Sequence, residues 1–174
     1  GIFLIILLTG ILLVSEWNQR KPSAGHILRV AILQHASQTI LDEGVQGMLD
    51  GLAESGFVEG KNILYKRYNA EGDMATANTI AKEITGGQFD LIMTASTLSL
   101  QTVANANKDG KTRHVFALVS DPFDAGVGIN RANPLDHPKH LAGIGTMQPV
   151  AEAFRLAGTL FPDLKTVGVV WNPT

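Results

Sequence analysis

Three apolar runs in this chain each end in a small polar cluster. Leu28–Leu33 leads into Gln34-His35, Leu91-Ile92-Met93 into Thr94-Ala95-Ser96-Thr97, and Val115–Val119 into Ser120-Asp121-Pro122. The chemistry on offer is that of ligand capture. An amide such as Gln34 both donates and accepts, a hydroxyl adapts to either role, and the Asp121 carboxylate can pair with an ammonium. Ser96 and Thr97 stand where a helix should begin, and a helix start turns free backbone N–H groups toward an anion. Structural roles compete at the same positions. Ser96, Thr97 and Asp121 all suit an N-cap, and Pro122 suits the first position of a helix capped by Asp121. Capping alone and capping with ligand contact both stay open. Gln34 is harder to explain as cap or core.

No nucleophile–base pair is evident. Ser120 is followed by Asp121-Pro122, whereas a strained nucleophile elbow needs small residues around its serine. Gly126-Val127-Gly128 and Gly143-Ile144-Gly145 lack the third glycine of a dinucleotide fingerprint and lie far from the first strand–helix turn. There is no phosphate-binding P-loop. His137-Pro138-Lys139-His140 brings two imidazoles close, with Asp136 as the sole local third ligand, and Pro138 opposes a helical two-histidine face. These are read as solvated loop histidines. The expectation is a binding protein and not an enzyme, with no metal and no cofactor.

The elements that must position these groups follow from periodicity. Leu28–Leu33 suits a strand buried on both faces. Leu41, Val45, Met48, Leu49 and Leu52 recur at helical spacing, closed by Gly56. Ile63–Tyr68 carries Lys66 and Arg67 and suits an edge strand. Asp73 reads as the N-cap of a helix with Met74, Ala77, Ile80, Ala81 and Ile84 inward, ended by Gly86-Gly87. A strand at Asp90–Met93, a helix from Thr97 to Asn107 and a strand at His114–Val119 come next. Residues 122–140 read as a long surface loop with room for one helical turn, and Leu141–Gly145 as a short strand. Val150, Phe154, Ala157 and Phe161 mark a helix before a final strand at Thr166–Trp171, where Trp171 offers either a stacking platform or a half-buried aromatic. Alternating strands and helices predict an α/β, doubly wound parallel sheet. In such sheets ligands bind beyond the carboxyl ends of the strands.

Composition narrows the class. The 174 residues are 45% hydrophobic and 17% charged, with a formal net charge of −2 and no cysteine. That is a globular composition without a basic stripe, so nucleic acid is not expected as a partner. The missing cysteines exclude disulfides, thiolate metal sites and a lipidated cysteine within this sequence. Ile2–Val14 is apolar apart from Thr9 and Gly10, short for a membrane span and suited to the core of a secretory signal. Ser23-Ala24-Gly25 then resembles a cleavage site before His26. An uncleaved membrane anchor is the rival reading of residues 1–25. The strand pattern that opens at Leu164 just before the last residue, Thr174, reads as the start of a further lobe, so the chain is expected to be a fragment.

One set of segments is distinctive in its joint order. Val30-Ala31-Ile32-Leu33-Gln34, Leu41-Asp42, Gly56-Phe57-Val58-Glu59-Gly60-Lys61-Asn62, Asn69-Ala70-Glu71-Gly72-Asp73, Asp90-Leu91-Ile92, Ser120-Asp121-Pro122 and Val167–Pro173 resemble a family of bacterial extracytoplasmic solute-binding proteins. These serve ABC-type importers and include tryptophan- and tyrosine-binding members. The resemblance runs from about Arg29 to the end. It implies a type I periplasmic-binding fold, two α/β lobes with strand order 2-1-3-4-5 that clamp a small-molecule solute. Residues 26–147 would form the first lobe, and 148–174 would open the second, whose remainder is missing here. Ligand contacts would then fall at Gln34, Thr97, Ser120 and Asp121, and permease subunits would be the membrane partners. Gln38 and Thr39 replace a usual His-Pro, Leu98 replaces a usual proline, and the loop Gly128–His140 is longer than usual. A competing class is the same module serving as the sensor of a membrane-anchored signalling receptor.

Overall fold

The computed structural model describes residues 26–168. The proposed signal or anchor segment, and Trp171 with the second half of the last expected strand, lie outside the described residues. Five strands form one sheet: β1 (Leu28–Gln34), β2 (Ile63–Asn69), β3 (Leu91–Ala95), β4 (Arg113–Val119) and β5 (Leu141–Gly145). Their order is β2-β1-β3-β4-β5, and every pairing is parallel. Four helices, α1 (Thr39–Glu54), α2 (Met74–Ile84), α3 (Thr97–Ala106) and α4 (Val150–Leu160), complete the described chain.

Strand β1 is interior to the sheet and apolar because both of its faces are covered. Val30, Ala31, Ile32 and Leu33 are all buried. Val30 and Ile32 join Met93 and Ala95 beneath Val45 and Leu49 of α1. Ala31, Leu33 and Ile92 face the other way, against Ala81 and Ile84 of α2 and Val103 of α3. Each large aliphatic side chain buried in this way contributes about 1.5–3 kcal/mol. A third cluster, Leu100, Phe116, Val119, Ala125 and Leu141, carries the core on to β5. Helices on both faces make the sheet doubly wound, as its alternating pattern predicts.

Local signals were mostly sufficient. Gly56 follows the α1 C-cap with φ +88°, a left-handed turn that glycine adopts without strain. Asp73 caps α2 by accepting from the Thr76 backbone N–H at 2.6 Å. Strand β2 is an edge, and its Lys66 binds Glu83 of α2 at 2.9 Å. Some boundaries shift: β3 starts after Asp90 and runs on to Ala95, and α3 ends at Ala106.

One expectation fails. Asp121-Pro122 does not open a helix, and residues 122–140 contain turns without a helical segment. Glycine- and asparagine-rich sequence beyond Phe123 gives no apolar face for a helix to bury, so the chain turns instead. Residues 164–168, the described part of the expected last strand and its approach, have no regular structure. Helix α4 buries none of its residues, leaving Phe154 and Leu160 exposed.

Candidate functional site

Adjacent strands bring the polar clusters together. Gln34 closes β1 in register with Ala95 of β3, and Ala95 is in register with Ala117 of β4. Gln34, Ser96-Thr97 and Ser120-Asp121 therefore lie at the carboxyl ends of three neighbouring strands, along one rim of the sheet.

Ser96 is the N-cap of α3. Its hydroxyl accepts from the Ser99 N–H at 3.2 Å. Its own N–H donates to the Ala117 carbonyl at 3.2 Å, tying the β3 end to β4. Its backbone sits at φ 110°, ψ 158°, a conformation that residues with a side chain rarely adopt. Thr97 comes next, at the first helical position, half-buried, with no hydrogen bond from its hydroxyl among the described residues. The helix start and its unpaired N–H groups thus open onto the rim.

At the end of β4 the register breaks between Phe116 and Val119, and Leu118 takes φ 57°. A bulge of this kind bends a strand and re-aims the residues beyond it. Here those residues are Ser120, which is exposed, and Asp121. Asp121 Oδ1 accepts from the N–H groups of Phe123 at 2.9 Å and Asp124 at 3.3 Å. Its Oδ2 accepts from Arg131 Nη2 at 2.7 Å. Asp121 is thus a cap, but of a turn and not of a helix. The Arg131 guanidinium, with help from the two N–H donors, holds its carboxyl below the usual carboxylate range and outweighs desolvation.

Gln34 is held from one side. Its Nε2 donates to Asp42 Oδ1 at 2.7 Å and to the Ala36 carbonyl at 3.1 Å. The amide oxygen has no partner among the described residues, so it is the end available to a ligand. The structure thus places all five predicted residues on the rim, with Gln34 and Asp121 partly engaged by neighbours.

Two further groups join them. His35 Nδ1 is sealed from solvent without a partner among the described residues. Arg131 escapes sequence reasoning because a lone arginine in a glycine- and proline-rich loop has no periodicity to mark it. The acidic residues Asp121 and Asp124 upstream were the one available signal. Behind the rim, His114 Nε2 lies 2.9 Å from Thr94 Oγ1, wholly buried. Burial, with a smaller contribution from His140, pushes the His114 imidazole down to about 3. It is therefore neutral, with Nε2 paired to the Thr94 hydroxyl and Nδ1 sealed without a partner among the described residues. Of the two loop histidines, His140 accepts from the His114 backbone N–H through its carbonyl at 2.7 Å, and His137 Nδ1 contacts the Pro138 carbonyl at 3.0 Å. Among the described residues no three histidine or carboxylate side chains gather as a metal site.

Residues 29–174 match the family described as ABC transporter substrate binding protein. The chain belongs to that family. A curated relative, the tyrosine-binding protein of Clostridioides difficile (strain R20291), is 31% identical over 156 residues, which are 89% of this chain and 44% of the relative. A conserved domain protein from Vibrio cholerae is 32% identical with a TM-score of 0.74, over 84% of this chain and 48% of that one. An ABC domain from Streptococcus pneumoniae, solved in complex with L-Trp, is 27% identical with a TM-score of 0.71, over 80% of this chain and 45% of that one. The chain spans about half the length of these relatives. Its sheet is that of the type I periplasmic-binding fold.

Proposed function

We propose that this protein is the extracytoplasmic solute receptor of an ABC-type importer, and that its ligand is an amino acid. One observation carries the reading: β1, β3 and β4 deliver an amide, a helix start with hydroxyls, and a carboxylate to one rim. That set is complementary to a zwitterion. The α3 N–H groups near Ser96 and Thr97 receive the ligand carboxylate, and Asp121 Oδ2, which accepts one hydrogen bond here, receives the ammonium with its second lone pair. Gln34 and Ser120 supply neutral hydrogen bonds beside them. No step in this arrangement is catalytic. The tyrosine-binding relative and the L-Trp complex favour an aromatic side chain on the ligand.

In this reading residues 26–147 are the first of two lobes, and 148–174 begin the second. Closure of the second lobe by a hinge desolvates the rim. Residues 1–25 serve as an export signal or anchor, and permease subunits receive the loaded protein. Thermal-shift measurement on the full-length protein with the twenty common amino acids tests this. A ligand that binds only the folded state raises Tm by mass action. Tryptophan or tyrosine should give the largest rise, and a screen with no shift from any amino acid rejects the proposed ligand class.

A further inference from the structure

Arg131 Nη2 lies 2.7 Å from Asp121 Oδ2 and 2.7 Å from Asp124 Oδ1. Its guanidinium carbon sits 5.0 Å from the centre of the Phe123 ring, which steadies it from one side. Ser120, Asp121, Arg131 and His137 are the polar side chains lining a cavity of about 560 Å³ whose wall also includes Phe116, Ile129 and Met147. Asp124 is not part of that lining but shares Arg131 with Asp121, so the two carboxylates and one guanidinium carry a single negative charge beside the cavity. Both of these hydrogen bonds use Nη2, so Nε and Nη1 have no partner among the described residues.

We propose that Arg131 is a specificity-determining residue that makes the rim select a zwitterion over the corresponding amine. The inference rests on the proposed function, in which Asp121 receives the ligand ammonium. A guanidinium bonded to the same carboxylate repels that ammonium and attracts a carboxylate carried beside it. An amino acid brings both charges, and the repulsion on one offsets the attraction on the other. An amine brings the positive charge alone and meets the repulsion without relief. Without Arg131, the two carboxylates would present twice the charge and favour amines. A residue that merely braces the 122–140 loop would change affinity for both ligands alike.

Calorimetric titration of the full-length protein with L-tryptophan and tryptamine separates the two roles, since these differ only in the carboxylate. Arg131→Gln should narrow the tryptophan-to-tryptamine affinity ratio at least fivefold, while Arg131→Lys keeps most of it. Asp124→Asn, which leaves the Arg131–Asp121 pair in place, should widen the ratio by removing one negative charge. An unchanged ratio in Arg131→Gln, or a narrowed one in Asp124→Asn, overturns the proposal even where both affinities fall. Should Arg131→Gln fail to fold, the Asp124→Asn ratio decides alone. If the unaltered protein binds other amino acids but neither probe, tyrosine and tyramine replace them. If it binds no amino acid at all, the proposed function fails first and this role fails with it.

Discussion

Gln34 Nε2 donates to Asp42 Oδ1 at 2.7 Å, so the end of β1 is bonded to the first turn of α1. The amide thereby stands at the rim in one orientation, nitrogen toward the helix and oxygen toward the proposed ligand. Gln34→Leu removes both ends. Losing the hydrogen bond should cost about 1 kcal/mol of stability, which lowers Tm by several degrees in a domain of this size. Affinity for the amino acid should fall at least fivefold in the same variant. Thermal scans paired with titrations check this, and a lower Tm with unchanged affinity would leave Gln34 a structural tether only.

Ser96 gives a prediction whose sign depends on backbone strain. At φ 110° a Cβ is costly, by about 1–3 kcal/mol, and glycine is not penalised there. The hydroxyl cap is worth about 0.5–2 kcal/mol relative to alanine. Ser96→Ala should therefore be destabilised by about 1 kcal/mol, and Ser96→Gly should be at least as stable as the natural residue. Urea unfolding of the two variants reads the difference. Alanine equal to or better than glycine would mean that the cap and strain account is wrong.

His114 supplies a pH dependence. Its folded value of about 3 lies below the ordinary 6.5, because burial disfavours the charged imidazole. The unfolded chain takes up the proton first as pH falls. The contribution is therefore fully present above pH 6.5 and is lost progressively between 6.5 and about 3, by roughly 1 kcal/mol per pH unit. His114→Gln removes this share while keeping a hydrogen-bonding group near Thr94. Denaturant unfolding from about pH 7 to about pH 4 should show a shallower decline in the variant. Parallel declines would indicate that His114 becomes protonated in the folded state without penalty.

Much of the frame was legible in the sequence because each signal was local. The run Leu28–Leu33 suited a strand covered on both faces, and Asp73 and Gly56 marked helix ends by capping chemistry and left-handed geometry. The rim followed from strand order. The features that stayed hidden depend on contacts distant in sequence. Asp121-Pro122 has the local chemistry of a helix start, but a helix needs an apolar face to bury, and the sequence from Asp124 onward lacks one. The bulge at Leu118 depends on space across the sheet: its side chain occupies the place a Cβ on Gly44 of α1 would take. Arg131 reaches back ten residues through an irregular loop, a distance that no periodic pattern encodes.

Asp121 is the proposed ammonium partner, and the binding mode stands or falls with it. Asp121→Asn retains Oδ1 as acceptor for the Phe123 and Asp124 N–H groups and removes only the charge. Titration of the full-length variant with the amino acid that binds the unaltered protein is the most direct test. The prediction is an affinity at least tenfold weaker, with the Tm of the ligand-free protein changed by no more than a few degrees. Unchanged affinity would contradict the account, leaving Asp121 a turn cap braced by Arg131 with no part in holding the ligand.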